Sequence, residues 1–204
     1  MAEQERESKE PRVRLFVALD LPDTVKAGIA RWGEQELRDP ALRPVAEQSL
    51  HITFAFLGHR PQSQVEEIAA VVRESGGPAA RVELLEPQQR PLKGRARVYA
   101  LPARSEGAET LQAGLQARLV EAGLYEAEKR PFWPHVTVAR VRAEGHGSRR
   151  PALVERPPKS LPQDLLQPFE AVRLSLYRSE LQPRGARYVP LAQVELSAGS
   201  SEVN

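Results

Sequence analysis

LHITFAFLG, residues 50–58, and HVTVARV, residues 135–141, decide the fold. Both are rich in β-branched and aromatic residues, and the first stops at a glycine, so each reads as a strand. A strand projects residues two apart to the same side, which puts His51 beside Thr53 and His135 beside Thr137. Each segment thus presents an imidazole and a hydroxyl together on one surface. The motifs stand 84 positions apart, each after a helical segment, so the halves read as distant copies of one unit. A pseudo-twofold arrangement of two lobes makes both His-Thr pairs face each other across a cleft.

The flanking segments complete the pattern. RVRLFVALDL, residues 12–21, sets Val13, Leu15, Val17 and Leu19 on one face, with Phe16 and Ala18 making much of the other face apolar, and predicts a buried strand. Residues 23–37 space Val25, Ile29, Trp32 and Leu37 as an amphipathic helix, ended before Pro40. Ser63 and Glu66 form a capping-box pattern ahead of a stripe of Val65, Ile68, Ala69 and Val72. Short strands are expected over 80–85 and 95–102, then a helix capped by Ser105 and ended by Gly123. Residues 144–168 carry five prolines and predict a long surface loop, with alternating strands following over 169–177 and 187–196. Several connections are short enough for antiparallel pairing. The fold class is therefore α+β in preference to a doubly wound parallel sheet. Residues 12–196 are expected as one domain, with 1–11 and 197–204 as flexible tails.

Composition removes whole classes of chemistry. The 204 residues contain no cysteine, which excludes disulfides, thiolate zinc sites, iron–sulfur clusters and cysteine nucleophiles. No apolar run approaches the roughly 18 residues of a membrane helix, and residues 1–10 lack the apolar stretch of a secretion signal, so a cytoplasmic monomer is expected. A net charge of +2 is too small for a general nucleic-acid coat. Its distribution is more telling. Arg90, Lys93, Arg95 and Arg97 form one basic patch, and six basic residues between Lys129 and Arg150 face the single Glu144. Both patches suit a phosphate-bearing partner.

Two facing imidazoles suit attack on a phosphodiester. With an ordinary pKa of about 6.5, one ring can be neutral and take a proton from the nucleophile while the other, protonated, gives one to the leaving oxygen. Thr53 and Thr137 can hold the nonbridging oxygens, and the scheme needs no metal or cofactor. A zinc site would need a third ligand beside His51 and His135, and the sequence has no HExxH. Neither a GxSxG elbow, a GxGxxG nor a P-loop is present. His59 and His146 read as solvated surface residues, and Asp20 and Asp39, at element ends, as capping or turn residues. A nucleotide-binding or RNA-binding module without turnover is the alternative from another class. Small cyclic nucleotides or 2′-5′ oligoadenylate are alternative substrates for the same chemistry.

The two motifs, with RLFVALDLP near the start and PHVTVAR later, resemble the two-histidine phosphoesterases, and within them the RNA 2′,3′-cyclic phosphodiesterases once described as 2′-5′ RNA ligases. The likeness runs from about Arg12 to Leu196, and it implies a bilobal α+β fold with two antiparallel sheets forming a central cleft and helices outside. It implies hydrolysis of a terminal 2′,3′-cyclic phosphate on RNA to a 2′-phosphate and a free 3′-hydroxyl, with RNA ends or nucleotides as partners. It makes His51 the proton donor, His135 the proton acceptor, and Thr53 and Thr137 the phosphate holders. Arg140, five positions after His135, matches a basic position near phosphate or nucleobase, and Phe56, five after His51, matches a base-stacking position. Strand alternation from His51, however, sends Phe56 to the opposite face and into the core.

Overall fold

The computed structural model describes residues 10–182 and 185–197. In chain order the elements are β1 (Arg12–Asp20), α1 (Asp23–Glu36), β2 (Leu42–Pro44), β3 (His51–Pro61), α2 (Val65–Glu74), β4 (Arg81–Leu84), β5 (Gln88–Arg90), β6 (Val98–Arg104), α3 (Glu106–Glu121), β7 (His135–Val141), β8 (Phe169–Glu170), β9 (Arg173–Gln182) and β10 (Gly185–Glu195). All pairings between named strands are antiparallel, in the order β10-β9-β1-β3-β7-β6-β4-β8, with β2 on β7 and β5 on β6. The α+β class is as the sequence predicts. The two expected sheets are joined, since β3 and β7 share one rung, Ile52 opposite Val136.

The halves repeat one unit, strand–helix–antiparallel strand, as β1-α1-β3 and β6-α3-β7. Their registers match position for position. Ala18, Leu19 and Asp20 face Thr53, Ile52 and His51, while Ala100, Leu101 and Pro102 face Thr137, Val136 and His135. Both pairs also slip by one residue at the same place, between Val17 and Ala18 and between Tyr99 and Ala100, leaving Phe54 and Val138 as the extra residues. Each slip is a β-bulge, and a bulge reverses the phase of alternation beyond it.

The bulges explain burial along both strands. Phe54 and Ala55 are buried in succession, as are Val138 and Ala139, so the next residues, Phe56 and Arg140, emerge on the face that carries the histidines. Leu19, Ile52, Leu101 and Val136 are fully buried on the opposite face, within one continuous apolar cluster that α2 and α3 help cover.

Helix ends follow local chemistry in part. The Ser105 hydroxyl caps α3 by accepting from the Ala108 amide at 3.0 Å. The capping box at Ser63 does not form. Helix α2 begins at Val65 without a side-chain cap, and the Ser63 amide donates to Glu10 Oε1 at 2.6 Å. The expected tails fall mostly outside the described residues. Their described parts are held: the Gln62 amide donates to the Pro11 carbonyl, and Ser197 exchanges backbone bonds with Gly77 and Ala79. Among the described residues, no helix is long and apolar enough to cross a membrane.

The proline-rich segment 144–168 is irregular, as expected, and strapped at several points. Asp39, only 4% exposed, accepts from the Ala41 amide with Oδ1 and from the Glu155 and Arg156 amides with Oδ2. Its turn role is therefore accompanied by a clamp on the distant loop. Burial pushes the Asp39 carboxyl up, and the amides of Arg156, Ala41 and Glu155 outweigh it, holding the group below the usual range. Glu36 accepts from the Lys159 amide, Glu86 from the Leu161 amide, and Trp32 Nε1 donates to the Ser160 carbonyl. Asp39→Ala strands three amides and should lower unfolding stability by roughly 2 kcal/mol or more. Chemical denaturation with limited proteolysis checks this: the expected first cut lies within 150–165, and unchanged stability and cutting would contradict the clamp.

Candidate active site

The shared rung sets the site. Antiparallel register around Ile52 and Val136 brings Thr53 toward His135 and His51 toward Thr137, on the face opposite the core. These four side chains, Phe56 and Arg140 line one cavity of about 560 Å³. Every sequence candidate is thus brought to one place. Phe56 is the departure from alternation: the bulge at Phe54 turns it out of the core, and at 58% exposure it faces the cleft. Arg140 is its pseudo-twofold mate. His59 and His146 are exposed and outside the cavity.

His135 is held by its own strand entry. Its Nδ1 lies 2.7 Å from the Trp133 carbonyl, so Nδ1 donates and Nε2 is left to the cleft. Pro134 between them restricts Trp133 to extended backbone, which aims that carbonyl. The Trp133 ring stacks on the imidazole at 4.0 Å between centroids and 17° between planes. Burial pulls the pKa of His135 below its ordinary value; the Trp133 carbonyl opposes this and the Arg90 cation adds to it.

His51 sits in a different setting. Phe16 from β1 stacks on it at 4.9 Å, Tyr188 from β10 meets it edge-on at 5.4 Å, and Thr53 Oγ1 lies 3.2 Å from Nε2. The Ser49 backbone, two residues earlier as Trp133 is to His135, favours the protonated ring. Burial dominates and pulls the pKa down to about 4, with His135, Lys26 and Arg140 adding positive charge. A ligand-free cleft therefore holds both rings neutral at pH 7.

Behind His51 lies a polar network that sequence reading missed. Asp20, opposite His51 in the β1–β3 register and 3% exposed, accepts from Ser175 Oγ at 2.6 Å and from Tyr177 Oη at 2.9 and 3.1 Å. Arg173 pairs with it at 3.4 Å. Asp20 is therefore neither a cap nor a turn residue. Burial pushes its carboxyl up despite the Ser175 and Tyr177 hydrogen bonds, and burial with the Asp20 charge pushes Tyr177 up to about 12. Tyr177 stacks on Phe16 at 5.3 Å, so the network carries the ring that carries His51. A lone Asp at a strand end gives no sequence signal of partners 155 positions away.

The cavity is basic for reasons other than those composition suggested. Arg14, Arg43 and Arg140 line it, and among the described residues no carboxylate does. Among the described residues, none of the three arginines forms an ion pair. None of the four residues of the expected patch over 90–97 is among those lining the cavity, and two are engaged elsewhere: Arg95 pairs with Glu144 at 2.9 Å, and Arg90 lies over Trp133. Arg43 reaches the cleft because β2 pairs with β7 beside Arg140. Among the described residues, no group of three or more His, Asp or Glu side chains is placed to hold a metal.

Comparison with known proteins agrees with this geometry. The family model of the 2′-5′ RNA ligase superfamily matches residues 21–182. The chain belongs to this family. Within the superfamily, an RNA 2′,3′-cyclic phosphodiesterase of Thermus thermophilus is 32% identical over 191 residues, covering 90% of each chain. One of Escherichia coli is 27% identical over 184 residues, 90% of this chain and 97% of that one. A solved structure from Thermus thermophilus aligns with a TM-score of 0.75 at 29% identity, over 91% of this chain and 99% of its own. The structure of E. coli LigT complexed with 3′-AMP aligns with a TM-score of 0.69 at 27% identity, over 92% and 99%. For this superfamily member, unpaired arginines on the cleft wall predict salt-sensitive binding of a single-stranded oligonucleotide. Arg14→Ser and Arg43→Ser should each flatten the slope of log affinity against log salt by about 0.7. Slopes identical to wild type in a fluorescence-anisotropy titration would remove both residues from the binding track.

Proposed function

We propose that this chain hydrolyses the terminal 2′,3′-cyclic phosphate of RNA to a 2′-phosphate and a free 3′-hydroxyl. The observation that carries the reading is the pair of His-Thr motifs, related by the repeated strand–helix–strand unit, on one cavity lined by arginines. Curated relatives over nine-tenths of the chain, named RNA 2′,3′-cyclic phosphodiesterase, support the substrate class.

In this reading water attacks phosphorus opposite the 3′ oxygen. His135 Nε2 takes a proton from the water as the new P–O bond forms. The bond from phosphorus to the 3′ oxygen breaks, its electron pair stays on that oxygen, and His51 Nε2 supplies the proton. Thr53 and Thr137 donate to the nonbridging oxygens and follow their growing charge. Phe56 stacks the terminal base, and Arg140 neutralises the phosphate or hydrogen-bonds the base. Residues 12–196 act as one catalytic unit, as a monomer, in the cytoplasm and without a cofactor.

The lowered pKa values fit once the substrate is included. A ring whose pKa is lowered is neutral above that value, so free enzyme carries the needed single proton only at acid pH. The bound phosphate anion favours a protonated ring and restores it. The alkaline limb of kcat/KM should therefore lie below about 6.5, and that of kcat above it, the limbs belonging to the pair of rings together. Coincident limbs would show that substrate charge does not supply the proton.

Product analysis with an oligonucleotide ending in a 2′,3′-cyclic phosphate tests the reading directly. Wild type should release only the 2′-phosphate in the presence of EDTA, and His51→Ala and His135→Ala should each lose about 10² to 10⁴ in rate. Either variant within a few-fold of wild type would overturn the two-imidazole scheme. Tight oligonucleotide binding without product would favour a binding module, and loss of activity to the chelator would favour a zinc enzyme.

A further inference from the structure

A stack of planar groups backs each histidine, Phe16 and Tyr177 behind His51 and Trp133 behind His135, and among the described residues the second stack ends on a guanidinium. The Arg90 guanidinium lies 3.9 Å from the centroid of Trp133, whose ring in turn lies on His135. Arg90 Nε is buried without a hydrogen-bond partner, and among the described residues Arg90 forms no ion pair, so its cation is seated on an indole face. Neither Arg90 nor Trp133 lines the cavity. Ser49, which offers no ring, occupies the Trp133 position in the other half. Across the strand pair, the uncharged Pro102 faces His135 where Asp20 faces His51.

We propose that Arg90, acting through Trp133, is the positioning residue that makes His135 rather than His51 the base, by keeping the His135 proton on Nδ1, against the Trp133 carbonyl, and the Nε2 lone pair in the cleft. Arginine stays charged at every working pH, and its charge stands within about 8 Å of the imidazole across the stack. Among the described residues, the other titratable or charged groups that line the cavity with His135 are Arg14 on β1, Arg43 on β2, His51 on β3 and Arg140 on β7. An entering phosphate offsets those four. It cannot reach Arg90, whose field persists at His135 through the reaction.

The kinetic consequence rests on the hydrolytic reading, whereas the proton affinity of His135 is measurable without substrate. NMR titration of the histidine rings in the ligand-free full chain, with His135 assigned by His135→Gln, is the test. Arg90→Met should raise the His135 midpoint by about half a unit or more, the effect of removing one charge at that distance, and leave His51 nearly in place. Arg90→Lys, which keeps the charge, should shift it less. In parallel, Arg90→Met should move the alkaline limb of kcat/KM upward, because the ring with the higher proton affinity sets that limb, with KM for the cyclic-phosphate oligonucleotide unchanged. An unmoved His135 midpoint overturns the proposal, as does a lysine variant matching the methionine variant. Should Arg90→Met fail to fold, Arg90→Gln against Arg90→Lys makes the same comparison. Wild type that hydrolyses no cyclic phosphate removes the reaction and leaves the titration to decide the role of Arg90.

Discussion

One rung of backbone pairing, Ile52 against Val136, carries the geometry of the molecule. Both side chains are fully buried, and removing them from water contributes on the order of 4 kcal/mol to holding the halves together. Because strand side chains alternate, fixing these two residues in the core fixes their neighbours, His51, Thr53, His135 and Thr137, on the opposite surface. The strands part on leaving the rung, and β2 takes a place along β7. The cleft is the space created by that parting. Its paired rings are a consequence of how little the two halves share.

A duplicated scaffold would by itself give two equal imidazoles, and equal groups do not divide acid from base. The surroundings break the equality. His51 is enclosed by Phe16 and Tyr188 over a buried carboxylate network, and His135 is backed by an indole and a guanidinium. Environments that differ while backbones match are what acid–base chemistry requires of paired titratable groups. The same asymmetry recurs at the rim, where equivalent bulges deliver a flat apolar ring, Phe56, on one wall and a fixed cation, Arg140, on the other.

Much of this was legible in the sequence because it rests on local pattern. Period-two alternation located β1, β3 and β7, the Ser105 cap and helical spacing located α3, and the paired His-x-Thr motifs located the site. What alternation could not supply was the bulge, which depends on the register between strands. Phe56, placed in the core by strict alternation, therefore faces the cleft. Ser63 and Glu66 satisfied the local capping pattern, yet Glu10 took the Ser63 amide through a contact 53 positions away. The basic run over 90–97 was visible, but its partners, Glu144 and Trp133, were not, and the arginines that do face the cavity are scattered over β1, β2 and β7. The Asp20 network likewise joins chain ends that no window of sequence spans.

The central claim is that both imidazoles reach one phosphorus atom from opposite sides. A crystal structure of the protein with a nucleoside 2′,3′-cyclic vanadate, whose five-coordinate metal centre imitates phosphorus in mid-transfer, measures this directly. The account predicts His51 Nε2 and His135 Nε2 each within about 3 Å of opposite apical oxygens, with Thr53 and Thr137 on the equatorial ones. Vanadate touched by one imidazole alone, or seated away from the Ile52–Val136 rung, would contradict it.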